Sequence, residues 1–124
     1  MKTKKIVAFC LVLFSIFMLM SCTSKEENMM VGTWKPLDDY VTYTFSSNGT
    51  FAFDYLERWE GEIWRDHGKG KWTLGSGVLT MVFTYQTGAN VNYSDRTYAV
   101  LSMEGKRLTL MSMSSGSTII WEKQ

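Results

Sequence analysis

The chain reads as an all-β domain, a small antiparallel up-and-down β-barrel. Three observations predict it. Apolar and polar residues alternate with period two in run after run, which places one row of side chains on each face of a sheet. Gly- and Asn-rich reversals separate the runs at hairpin spacing. No segment beyond residue 22 sustains a helical period. Closing the sheet would remove its exposed edges. An open β-sandwich is the alternative topology.

The first element is not part of that domain. Lys2, Lys4 and Lys5 precede an apolar run from Ile6 to Met20, and Ser21-Cys22 follows. A charged start, an apolar stretch and a small residue before a cysteine form a cleavable signal. The run is shorter than the ~20 residues that a spanning helix needs. Leu19-Met20-Ser21-Cys22 resembles a bacterial lipobox. The resemblance implies a diacylglyceryl, palmitate-type anchor on Cys22 after removal of residues 1–21, and a cell-envelope location at the outer membrane. Two acyl chains hold a protein far better than one, at ~0.8 kcal/mol per buried methylene.

Cleavage changes the composition. Three lysines leave and no acid does, so the formal charge moves from +1 to −2. That balance does not support a nucleic-acid partner. Cys10 also leaves, and Cys22 would become a thioether, so neither disulfide nor cysteine metal site is expected. Residues 22–30 read as the lipidated cysteine and a polar tether. Within it, Lys25-Glu26-Glu27 resembles the export signal of surface lipoproteins in the Bacteroidetes; an ordinary solvated linker is the other reading. Residues 31–124 suffice for one small domain.

The strands follow in order. Val41, Tyr43 and Phe45 alternate with Thr42, Thr44 and Ser46. Asn48-Gly49 is the strongest turn signal, because a tight hairpin needs positive φ. Phe51, Phe53 and Tyr55 continue the pattern, as do Leu79, Met81, Phe83 and Tyr85. Tyr98 and Val100, Leu108 and Leu110, and Ile119 and Trp121 complete it. Further reversals fall at Gly75-Ser76-Gly77, Gly88-Ala89-Asn90, Glu104-Gly105 and Ser115-Gly116. Pro36 suits an edge or a bend. Residues 56–68, LERWEGEIWRDHG, break the rhythm. A short amphipathic helix broken by Gly61 is one reading. Extended structure with a long loop is the expectation here.

Gly32-Thr33-Trp34 resembles the GxW motif that opens lipocalin barrels. Ser47-Asn48-Gly49-Thr50-Phe51 is similar to the DGTF hairpin of bacterial lipocalin-like lipoproteins. Gly70-Lys71-Trp72-Thr73-Leu74 resembles their GxWxL strand. Leu79-Thr80-Met81, Leu108-Thr109-Leu110 and Ile120-Trp121-Glu122-Lys123 match the strands that follow. The resemblance, to a Bacteroidetes-type lipocalin-like lipoprotein, implies a lipocalin-like barrel over 31–123. It also implies that Trp34 closes one end with Lys123 packed over it. The family more often carries arginine there, a better partner for an indole face. The chain is shorter than a typical lipocalin and lacks its C-terminal helix. Short strands enclose little volume, which leaves a side-chain-filled interior as the alternative to an open one.

Enzyme chemistry finds little footing. His67 is the only histidine, and its neighbour Asp66 points to the other face of a strand. Glu57, Glu60 and Glu62 are interleaved with cations, as in a solvated charged segment. No phosphate loop or nucleophile motif occurs. The chain is therefore read as non-enzymatic, with no catalytic residue, cofactor or metal site. The candidate ligand-binding row is Tyr43, Phe45, Phe51, Phe53, Met81, Phe83 and Tyr85, all expected to face inward. It would be core in a solid barrel and a pocket for a small apolar ligand in an open one. Met111 and Met113 would add an adaptable wall. Trp59 and Trp64 are the candidate surface contacts, for a protein or glycan partner, or else a lid over the barrel end. The primary expectation is an anchored protein that binds a small hydrophobic ligand. A structural or adaptor lipoprotein with a filled core, acting through 56–68, is the alternative.

Overall fold

Each alternating run forms a strand, and successive strands pair antiparallel. The computed structural model describes residues 25–88 and 93–124. The expected signal segment over residues 1–21, Cys22 and part of the reversal at Gly88-Ala89-Asn90 lie outside the described residues. The strands are β1 (Gly32–Pro36), β2 (Val41–Phe45), β3 (Thr50–Trp59), β4 (Glu62–Gly75), β5 (Val78–Thr87), β6 (Arg96–Glu104), β7 (Arg107–Ser112) and β8 (Thr118–Lys123). They pair in sequence order, and β1 pairs with β8 through Trp34↔Lys123 and Pro36↔Trp121. The sheet thus closes into an up-and-down barrel, and the open sandwich is excluded.

Strand direction defines two poles. At the N-terminal pole lie the turns after β2, β4 and β6. At the far pole lie the β1–β2 loop, the β3–β4 turn and the β5–β6 and β7–β8 connections. The tether expected over 22–30 is shorter at its C-terminal end. Residues 25–30 form a helical turn, and Met30 is fully buried. The Trp34 Nε1 donates to the Met30 carbonyl at 2.8 Å. An apolar side chain and a satisfied carbonyl are what a chain needs to cross the end of a hydrophobic barrel.

Residues 56–68 are extended, as expected, but without the long loop. They belong to β3 and β4, joined by a two-residue turn at Glu60-Gly61, both with positive φ (49° and 81°). Asn-Gly was the recognised hairpin signal, and Glu-Gly fills the same geometry here. β4, with 14 residues, is the longest strand in the barrel, and β3 and β5 follow with 10 each. β2 stops pairing at Val41↔Tyr55, and β5 at His67↔Thr87. Above those pairs the hairpin continues unflanked for about four residues per strand, roughly 13 Å. It is an arm rather than a loop.

A bulge corrects one inward assignment. Gly70 pairs with Phe83 but Lys69 pairs with Tyr85, so β5 has one extra residue there. One extra residue reverses the facing of everything beyond it. Phe83 stays against the core, whereas Tyr85 turns outward, 51% exposed, with the Lys69 Nζ 5.9 Å from its ring centroid. A second bulge, between Val100 and Ser102, leaves Leu101 and Ser102 both outside and turns Met103 toward the core.

Glycine sets the lumen's width. Gly68 and Gly70 occupy inward positions of β4, opposite Phe53 and Phe51. A β-carbon at Gly70 would stand 2.7 Å from the Phe51 ring, and one at Gly68 would stand 2.5 Å from Phe53. The two phenyl rings therefore lie directly over backbone.

Candidate functional site

The expected ligand-binding row lies in the lumen, apart from Tyr85. Tyr43, Phe45, Phe51, Phe53 and Met81 are all buried inside it, and Phe83 packs against them. Their rings touch one another. Trp121 stacks on Tyr43 at 5.0 Å, and Tyr98 meets it edge-on at 5.6 Å. Phe45 meets Trp72 edge-on at 5.5 Å, and Phe51 meets Phe83 at 5.1 Å. Centroid spacings of this size are those of packed aromatic pairs. A ligand at that depth would have to displace a ring. Met111 is half-buried and Met113 is 57% exposed, so no methionine wall faces the lumen from Met113.

The N-terminal pole is sealed. Trp34 has no exposed surface, and the Lys123 Nζ lies 5.5 Å from its ring centroid. The same ammonium donates to the Met29 carbonyl at 3.3 Å. Lysine makes this cation–π contact through its butyl stem and a single point charge.

At the far pole, Arg96 fills the mouth. Its Nη1 donates to the Tyr43 hydroxyl at 3.1 Å. Its guanidinium lies 5.2 Å from the Tyr93 ring and 5.6 Å from the Phe83 ring. Burial alone would lower its pKa, but the Tyr43 and Tyr98 oxygens outweigh burial and hold it above the ordinary value. Burial pushes the Tyr43 phenol well up, with Arg96 pulling the other way. Tyr93 comes from the β5–β6 connection and is raised chiefly by burial as well. It lies 4.4 Å from Phe53 and covers the point where β5 runs past β6. Side chains replace the missing ladder there. The Phe83 N–H donates to Asp95, and the Tyr93 N–H donates to Gln86. Arg96 was missed in the sequence, although Tyr98 facing inward implies the same of the residue two before it. A cleft of about 210 Å³ remains above these groups, between Asp38, Asp39 and Trp121.

The arm holds the exposed tryptophans. Trp59 is 65% exposed, Ile63 61% and Trp64 39%. Trp59 pairs with Glu62, and Glu57 with Trp64. Strand alternation therefore places both indoles and both carboxylates on one face, continuous with the lumen wall. Ile63 lies on the other face, opposite Arg58. The Trp64 Nε1 donates to the Glu62 carboxylate at 3.3 Å. The base of the arm is braced: the Tyr55 hydroxyl donates to Glu57, Tyr40 meets Tyr55 edge-on at 6.2 Å, and the Leu56 N–H donates to the Tyr40 carbonyl. The bond to the Glu57 carboxylate, with burial second, pushes the Tyr55 phenol up to about 12. These indoles do not fold over the barrel end as a lid.

His67 and Asp66 face opposite ways. Asp66 is fully buried, while His67 is exposed and shares a hydrogen bond with the Thr87 hydroxyl at 2.9 Å. Among the described residues, no three His, Cys, Asp or Glu side chains gather as a metal site would require. Compared with known proteins, the chain matches no family model and no curated sequence.

Proposed function

We propose that this protein is a lipid-anchored, non-enzymatic module of the bacterial cell envelope that holds a glycan on the lumen-side face of its β3–β4 arm. The observation that carries this reading is the alternation of two solvent-exposed indoles with two carboxylates on one unflanked hairpin face. A sugar ring offers an apolar C–H face for indole and a hydroxyl edge for carboxylate. Cross-strand neighbours stand about 5 Å apart and diagonal ones about 7–8 Å, the scale of adjoining sugar units. The packed lumen supports contact from outside rather than uptake within.

The anchor fits the same reading. Cys22 precedes the helical turn at residue 25 by three residues, a span of at most about 11 Å. Lipid on Cys22 would therefore lie near the N-terminal pole, and the arm would point away from the bilayer. Acylation is tested by fatty-acid labelling of the chain and of Cys22→Ala; label retained by the variant would contradict it. For the arm, Trp59→Ala with Trp64→Ala should reduce glycan binding about tenfold or more, the loss of at least 1.4 kcal/mol.

A second reading keeps the small apolar ligand but moves it to the far-pole cleft above Tyr43, Tyr98 and Trp121. It rests on the concave space beside Arg96. A lipid panel that leaves the melting temperature unchanged would defeat it.

A further inference from the structure

The mature chain has no excess of positive charge, yet strand alternation sorts its charges by face. Along β4, Arg65, His67, Lys69 and Lys71 all point outward and are exposed. The acids of the same segment, Glu62 and Asp66, point the other way. Across β3 the outward row is Ala52, Asp54, Leu56 and Arg58, so one carboxylate faces this wall, and it stands opposite His67. Composition averages these faces, and the sheet separates them.

The lower part of that wall is hollow. Register places Thr44, Ala52, Lys69 and Tyr85 in one row across four strands, with Thr50 and Lys71 paired in the next. Ala52 is the small floor between two lysine-bearing positions. The result is a cleft of about 440 Å³, edged by the Lys69 and Lys71 side chains and by the hydroxyls of Thr44, Thr50 and Thr84. No carboxylate lines it. The ion pair found among the described residues, Arg107 to Glu122 at 3.1 Å, leaves both ammoniums unmatched by carboxylate. Lys69 instead lies over the outward-turned Tyr85 ring, a position created by the β5 bulge.

We propose that this outer cleft binds an oxyanion ester, a phosphate or sulfate group carried by an envelope lipid or saccharide. The Lys69 and Lys71 backbones stand about 6.6 Å apart along β4, and both side chains are long enough to bring their ammoniums to one tetrahedral anion. Thr44, whose hydroxyl shares a hydrogen bond with Thr33 at 3.0 Å, can turn its proton toward the anion, whereas the Thr50 and Thr84 hydroxyls already donate to Asn48 and to the Lys69 carbonyl. The site is separate from the indole face of the arm, since the two lie on opposite faces of the same hairpin. Its failure would leave the glycan reading untouched, and the reverse also holds.

The test uses the intact chain in detergent. Inorganic phosphate and sulfate are titrated at constant ionic strength while backbone amide shifts are followed. The cleft predicts saturable shifts confined to the neighbourhood of Ala52, Lys69, Lys71 and Thr84. Lys69→Gln with Lys71→Gln should weaken binding about tenfold or more, at an unchanged melting temperature. Two further arms identify the carrier: vesicles containing an anionic phospholipid, and a sulfated oligosaccharide. Saturation by either one, lost in the double variant, supports the site and names its source. Shifts spread equally over Arg58, Lys106 and Arg107, or no saturation by any of these probes, would overturn it. If the double variant melts early, Lys69→Arg with Lys71→Arg, which keeps both charges, must retain binding.

Discussion

The lower and upper halves of the β3–β4 hairpin carry aromatic residues on the same face, with opposite fates. Phe51 and Phe53 are buried beneath Phe83, while Trp59 and Trp64 stand in solvent. Composition does not separate them. The neighbours do: β2 and β5 flank the lower half and end before the upper half begins. A mismatch in strand length has turned the end of a core face into a surface. Rings that seal the lumen hold the fold, and rings just beyond contribute little to it.

The largest effect expected to sharpen this contrast is Trp121→Ala. Its indole is fully buried between Tyr43 and Tyr98, so truncation should cost about 3–5 kcal/mol in denaturant unfolding. Gly70→Ala comes next. The new methyl would press on Phe51 and on the β5 backbone, at about 1–3 kcal/mol. Alkali should act on the same buried rings. Tyr43, Tyr55 and Tyr93 all have folded pKa values above their ordinary 10.0. Stability from their neutral phenols is fully present below that value and is lost as pH rises through the folded values. The urea midpoint should therefore hold to about pH 9 and fall steadily toward about pH 12. Lys123→Met should cost only about 0.5–1 kcal/mol, as expected for a partly solvated cation–π contact over Trp34. Smallest of all, Trp59→Ala with Trp64→Ala should shift stability by no more than about 0.5 kcal/mol per residue. A large loss there would break the contrast between the two halves.

Much of the barrel was legible, because period two and glycine turns are local signals. Val41, Tyr43 and Phe45 face inward as their alternation requires. Tyr85 does not, because a bulge is an event in pairing register that one strand's sequence does not reveal. Over the segment 56–68 the sequence supports extended structure but hides how short the turn is, because Trp, Glu and Arg mixed together mask the alternation where both faces are largely solvated. Its charges obey strict alternation once the two-residue turn is known. Arg96 was overlooked as one more charged residue at a strand start. Its burial depends on Tyr43 and Tyr93, distant in sequence, to receive the guanidinium. Met30 was assigned to the tether because helical capping of a barrel end depends on the barrel being there.

The central claim is that the arm's indole face, and not the lumen, makes the functional contact. Its most direct test is glycan-array binding by the intact chain and by the Trp59→Ala, Trp64→Ala double variant, with melting temperature measured on both. The account predicts saturable binding of a glycan by the intact chain, about tenfold or more weaker in the variant, at essentially the same melting temperature. Equal binding by the two proteins, or no glycan bound by the intact chain, would contradict it.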